Sequence, residues 1–223
     1  MSMTPANLLR GLALFALAAA WAWLAHRGSA GEGNADFAAA LATLPVVAIV
    51  VMLLWRVGNP LWIAGGGLAV LGLLAWLWPA FRQNVALLYY VQHLGTNLAL
   101  AVLFGRSLFG PGEALVTQFS RKAHCGVISA AKARYTRQVT IAWTLFFLAT
   151  ALLSTLLFWL APPVVWSLFA NLLTVPLILL MFAVEYFVRC RLLAPGDRSS
   201  VADTIRGYRA AMQRRSDTLT NHP

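Results

Sequence analysis

A histidine beside a carboxylate can move protons, and arginines around them can hold an anion. His124 and Glu185 are the pair this sequence offers for such work. Glu185 precedes Arg189 by one helical turn, a spacing at which a carboxylate and a guanidinium meet on one helix face. His124 lies in the stretch 105–138, which also holds Arg106, Arg121, Arg134, Tyr135 and Arg137 among Gly and Pro turns. With Arg189, these residue types suit an anionic group at a membrane boundary: a lipid phosphate, a carboxylated polyene, or an acyl chain on an acidic carrier protein. Two readings are open. In one, His124 and Glu185 perform acid/base chemistry on a chain whose anionic end the arginines hold. In the other, Glu185 and Arg189 form an intrahelical ion pair, and the arginines orient the chain and bind anionic headgroups.

A second group is Tyr89, His93 and Asn97, at i, i+4 and i+8, with Gln92 and Thr96 on the adjoining strip. This gives an apolar segment one polar face. Such groups are costly against lipid, so the face turns inward, either to link helices by hydrogen bonds or to line a substrate or proton path.

Other chemistries lack their residues. No Ser-His-Asp order or metal-ligand spacing stands out, and Cys125 and Cys190 form no spaced framework. Gly65, Gly66, Gly67, Ala69 and Gly72 lack the Lys-Ser/Thr of a nucleotide loop and read as a small-residue packing face. No cofactor and no metal are implied.

The elements that carry these residues follow from composition. Of the 223 residues, 60% are hydrophobic and only 11% charged, and the mean hydropathy is +0.72. A soluble domain devotes about a quarter of its residues to charge. So little charge cannot cover a water-facing surface, and the apolar excess needs lipid. Apolar runs bounded by charge, Gly or Pro predict six spans, at 7–25, 38–55, 61–78, 85–104, 139–160 and 164–187. Gly58, Asn59 and Pro60 mark one tight turn, and Pro162 and Pro163 another. Tryptophans toward the span ends, among them Trp55, Trp76, Trp143, Trp159 and Trp166, read as interfacial belts. The first span also fits a cleavable signal peptide, although Trp21 and Trp23 suit the outer boundary of a retained helix.

Charge sets the orientation. With the N-terminus inside, fifteen of the seventeen basic residues fall on the inner side, and only Arg27 and Arg82 lie outside. The formal net charge of +10 then orients the chain and calls for no nucleic acid. The expected fold is an all-α polytopic membrane helix bundle of six transmembrane helices, N-in and C-in. Residues 1–193 form the transmembrane domain with a 34-residue cytoplasmic connection at 105–138, and 194–223 form a basic cytoplasmic tail. In that tail Val201, Ile205, Tyr208 and Met212 are spaced for an amphipathic surface helix.

Phe104-Gly105-Arg106-Ser107-Leu108, Pro111-Gly112, Tyr135-Thr136-Arg137 with Thr140, Trp143-x-x-Phe146-Phe147, Trp166-Ser167-x-Phe169-x-Asn171 and Phe182-x-x-Glu185-Tyr186-x-x-Arg189 form a recognisable series. Together, over 85–191, they resemble a family of bacterial polytopic inner-membrane proteins from aryl polyene and xanthomonadin-type pigment clusters. The resemblance implies a multi-pass inner-membrane protein that helps make, anchor or move a polyene lipid. Its expected partners are membrane lipids and an acidic acyl carrier protein or biosynthetic enzymes. Three roles remain open on that reading: an accessory docking component, an enzyme acting on an acyl or polyene chain at the cytoplasmic interface, and a lipid or pigment translocator. A ketosynthase is contradicted, since neither Cys125 nor Cys190 sits in the large α/β core that such a nucleophile needs.

Overall fold

A computed structural model of the chain describes residues 5–57, 60–110, 112–123 and 128–193. His124, Cys125, Gly58, Asn59, Pro111 and the tail from 194 onward, with its expected surface helix, lie outside the described residues. Among the described residues there are helices and no strands: α1 (Pro5–Ser29), α2 (Ala35–Val57), α3 (Pro60–Gln83), α4 (Val85–Phe109), α5 (Leu115–Ala123), α6 (Ala130–Leu160) and α7 (Pro163–Leu192). All but α5 are long and apolar enough to cross a bilayer. The chain is a multi-pass integral membrane protein built as an all-α helix bundle.

The helices run longer than the apolar runs that predict them. Helix α1 continues through His26 and Arg27, the latter a cation that suits the negative end of the helix dipole, and the chain turns at Gly31 with φ +87°. Helix α2 starts where the Asn34 side-chain oxygen accepts the N–H groups of Asp36 (2.8 Å) and Phe37 (3.3 Å). The 31 residues of α6 rise about 46 Å at ~1.5 Å each, well beyond an apolar core of ~30 Å. Its first turns therefore project from the lipid and carry Arg134 and Arg137, both exposed. The connection 105–138 is thus largely helical, divided among the end of α4, α5 and the start of α6.

The chain divides into two compact units, 1–95 with 152–176 and 96–151 with 177–223. Helices α4, α6 and α7 contribute to both.

In the first unit the core gathers Ala25, Ala38, Ala39, Ala42, Val85, Tyr89, Tyr90 and Trp166. Small residues let α1 and α2 approach closely: a Cβ built on Gly28 would stand 2.8 Å from the Ala38 Cβ. Helices α2 and α3 are tied through Asp36, whose Oδ1 accepts the Trp78 indole N–H at 2.9 Å and lies 2.9 Å from Arg82 Nε.

In the second unit Ala101, Tyr135, Val139, Trp143, Phe147 and Leu193 form the core. Trp143 packs against Phe182, Phe147 and Phe146 with ring centroids 4.8, 5.5 and 5.7 Å away. Gly105 lies beside Thr144, where a Cβ would meet the methyl group at 3.4 Å. Helix α5 is held at its start by two hydroxyls: Leu115 N–H donates to Ser107 Oγ (2.8 Å) and Val116 N–H to Thr140 Oγ1 (3.3 Å). The Thr117 and Thr136 hydroxyls meet at 2.8 Å on the same face.

Trp55, Trp76 and Trp159 are exposed, as a belt at the lipid boundary requires. Trp143 and Trp166 depart from that expectation, at 6% and 1% exposure. Because α6 starts at Ala130, Trp143 stands well inside the helix and fills the core. Trp166 belongs to the first turn of α7, where its N–H finds a buried hydroxyl.

Candidate functional site

Between Pro163 and Leu192 the helix opens into a π turn over Leu168–Leu173. Two features favour it. Pro176 has no N–H to offer the carbonyl four residues earlier, and Thr174 closes the wider turn through both its backbone N–H and its hydroxyl, which donate to the Phe169 carbonyl, the hydroxyl at 3.0 Å. Turns of this kind often mark functional positions in helices.

In the first unit His93 of α4 reaches this turn. Its Nδ1 lies 3.0 Å from Ser154 Oγ of α6 and its Nε2 lies 3.1 Å from Thr174 Oγ1. Phe169 packs against the imidazole ring, edge to face. Ser154, fully buried, also accepts the Trp166 indole N–H at 3.1 Å. A hydroxyl has one proton to give. Thr174 gives its proton to the Phe169 carbonyl and therefore accepts from Nε2–H; Nδ1 of the neutral imidazole is then the acceptor, and the Ser154 proton points to it while its oxygen takes the indole N–H. One direction of donation satisfies these groups with a neutral imidazole. Nearby, Gln92 donates to the Ala42 carbonyl (2.8 Å), Tyr89 to the Ala38 carbonyl (3.4 Å) and Tyr90 to Thr155 Oγ1 (3.1 Å).

A second polar cluster in this unit has no counterpart among the sequence expectations. Ser167 Oγ meets His26 Nδ1 and the His26 carbonyl, and Asn171 Nδ2 donates to Ser29 Oγ (2.9 Å) and to the Ser167 carbonyl (3.1 Å). Ser167 is fully buried, so the Ser-His pair binds α1 to α7 and offers no accessible nucleophile. Its sequence signal was slight: polar residues i, i+4 apart in α7 and i, i+3 apart in α1.

In the second unit the structure brings together Tyr135, Glu185 and Arg189. The Tyr135 hydroxyl lies 3.0 Å from both Glu185 Oε1 and the Glu185 carbonyl, and Arg189 Nε stands 3.7 Å from the same carboxylate oxygen. Arg189 also lies over the Tyr186 ring, 5.6 Å from its centroid. Arg121 pairs with Glu113 through both nitrogens of its fork, Nε donating at 2.8 Å. That hydrogen bond holds the Glu113 carboxyl below the usual carboxylate range. Asn97 is buried. Arg106, Arg134 and Arg137 are exposed, and among the described residues none of the three has an ion-pair partner.

Compared with protein-family models, with curated proteins and with solved structures, the chain matches none. Its chemistry therefore rests on geometry. Among the described residues no group of three His, Cys, Asp or Glu side chains is placed to hold a metal ion. The polar groups inside the spans meet one another, as groups that join helices do, and the Glu185 carboxylate accepts from Tyr135 and faces Arg189. Of the arginines expected to hold an anion, Arg106, Arg134 and Arg137 remain exposed without a carboxylate partner among the described residues, as do Arg10, Arg56 and Arg191 elsewhere in the chain.

Proposed function

We propose that the protein is an accessory component of a bacterial inner membrane, oriented with both termini in the cytoplasm, that docks an anionic partner on its basic face. The observation that carries this reading is the contrast between paired and open arginines. At the ends that the charge rule places outside, Arg27 is paired with Glu32 (3.2 Å) and Arg82 with Asp36 (2.9 Å). At the inner ends Arg121 and Arg189 have Glu113 and Glu185, but Arg106, Arg134 and Arg137, together with Arg10, Arg56 and Arg191, are exposed and lack carboxylate partners among the described residues. Surplus cationic charge there attracts a partner of opposite sign and keeps the arginines out of the translocated side.

The resemblance to the pigment-cluster family suggests what that partner is: an acidic acyl carrier protein, or an enzyme that works with one on aryl polyene-type lipids. A docking role also fits the paired state of His93 and Glu185, which serve the protein's own helices.

The direct test reconstitutes the full chain in uncharged lipid and measures co-sedimentation of a purified acidic acyl carrier protein. Alanine at Arg106, Arg134 and Arg137 together should abolish co-sedimentation while the helical content stays unchanged. Retention equal to that of the unaltered chain rejects the docking reading. Deleting the gene and analysing membrane lipids and pigments by mass spectrometry separates the roles: reduced amounts of finished product support an accessory, whereas a single accumulated precursor points to a catalyst.

A further inference from the structure

The first unit has a cavity of about 330 Å³ where α1 and α3 end and α2 and α4 begin, closed on one side by Pro163. Ser29, Ala38 and Val85 form its buried floor, and the glycine-rich connection 31–34 with Arg82 forms its rim. Gly31 and Gly33 have φ of +87° and +93°, values that L side chains rarely adopt, and no atom lies within 4 Å of a Cβ built on either. At these two positions the rim is bare backbone with open space around it.

Its charge is balanced. The charged side chains lining the cavity are Glu32 and Arg82, one of each sign. Each belongs to a half-exposed ion pair, Glu32 with Arg27 and Arg82 with Asp36. Pairs this exposed are weak and rearrange easily to admit a ligand. A purely anionic ligand would meet Glu32, and a purely cationic one would meet Arg82. A zwitterion with phosphate and ammonium a few bonds apart satisfies both.

The cavity stands at the ends of membrane spans, where the zwitterions at hand are lipid headgroups. The lining separates two of them. A quaternary ammonium has no N–H to donate and is held by aromatic rings, and none of the residues lining the cavity is aromatic. A primary ammonium has three N–H donors for Glu32 and for the carbonyls of the open connection. We propose that this cavity binds the phosphoethanolamine headgroup of a membrane lipid, with Arg82 holding the phosphate and Glu32 the ammonium. The site is independent of the docking role proposed above.

Native mass spectrometry of the full chain, released from an equimolar mixture of phosphatidylethanolamine, phosphatidylcholine and phosphatidylglycerol, tests this directly. The unaltered chain should retain phosphatidylethanolamine over each of the others by about fivefold or more, the scale of one charge-assisted contact. Glu32→Gln should erase the preference over phosphatidylglycerol, and Arg82→Gln, which removes the phosphate contact, should lower phosphatidylethanolamine retention, as should Ala86→Phe, which fills the cavity. Circular dichroism and gel filtration establish that each variant is folded, and Glu32→Gln alters a half-exposed side chain whose ion pair contributes little to stability. Equal retention of the three lipids overturns the proposal, as does a preference that survives both Glu32→Gln and Ala86→Phe. Displacement of the lipid by an equal concentration of free glycerophosphoethanolamine overturns the lipid assignment in favour of a soluble zwitterion.

Discussion

His93 Nδ1 lies 3.0 Å from Ser154 Oγ, and the indole N–H of Trp166 points at the same oxygen from 3.1 Å. Thr174 spends its proton on the Phe169 carbonyl and so accepts from His93 Nε2–H, which leaves Nδ1 to accept from Ser154. A histidine that looks from its position like a proton carrier is here a neutral connector among α4, α6 and α7. Nitrogen-15 NMR of selectively labelled protein should show the Nε2–H tautomer, and an Nδ1–H signal would falsify the chain of donors. Removing the connector leaves hydroxyls without their partner. His93→Ala and Ser154→Ala should each destabilise the protein by about 1–2 kcal/mol, and their double variant should cost less than the sum.

Tyr135 and Glu185 supply a second test. Tyr135→Phe keeps the ring in the core and removes only the hydroxyl that lies 3.0 Å from the carboxylate. Unfolding in mixed micelles should show a loss of about 1–2 kcal/mol, since bonds to charged acceptors are the stronger kind. Glu185→Gln still offers the phenol an acceptor and should cost less than Tyr135→Phe. The reverse order would show that the carboxylate does more than receive this bond.

Helix α5 should loosen in acid. The hydrogen bond from Arg121 lowers the Glu113 carboxyl in the folded chain. A group depressed in this way contributes stability that is complete above the ordinary carboxylate value and is lost as pH falls through the lowered folded value. Amide hydrogen exchange over 115–123 should accordingly speed up below the usual glutamate range, after allowance for the intrinsic pH dependence of exchange. In Glu113→Gln the segment should exchange faster already at neutral pH, with no further acid step. Identical profiles in the two proteins would remove Glu113 as the tether.

Two glycines of α1 make opposite predictions. Gly28→Ala would bring its Cβ to 2.8 Å from the Ala38 Cβ, so α1 and α2 must separate, at about 1–3 kcal/mol. Gly11 has nothing within 4 Å of a built Cβ, and alanine there should stabilise the helix by about 0.5–1 kcal/mol. Melting in detergent distinguishes them, and equal effects at the two positions would refute the close approach of α1 to α2.

The all-α multi-pass architecture was legible in the residues one at a time. Transfer of a side chain between water and lipid depends on its own chemistry, so six apolar runs announced six spanning helices without any knowledge of their neighbours. Where the helices end was less legible, because hydropathy registers the lipid boundary while hydrogen bonding carries α6 nine residues ahead of its expected start. The spacing of Glu185 and Arg189 made their pairing readable, since both partners stand on one helix. What only the tertiary structure decided is the partner of each polar group across long separations in the chain. Tyr135 finds Glu185 50 residues away, and Ser167 finds His26 at a separation of 141. These pairings depend on how helices pack and on the π turn that aims Thr174 at His93, and neither hydropathy nor charge along the chain encodes them.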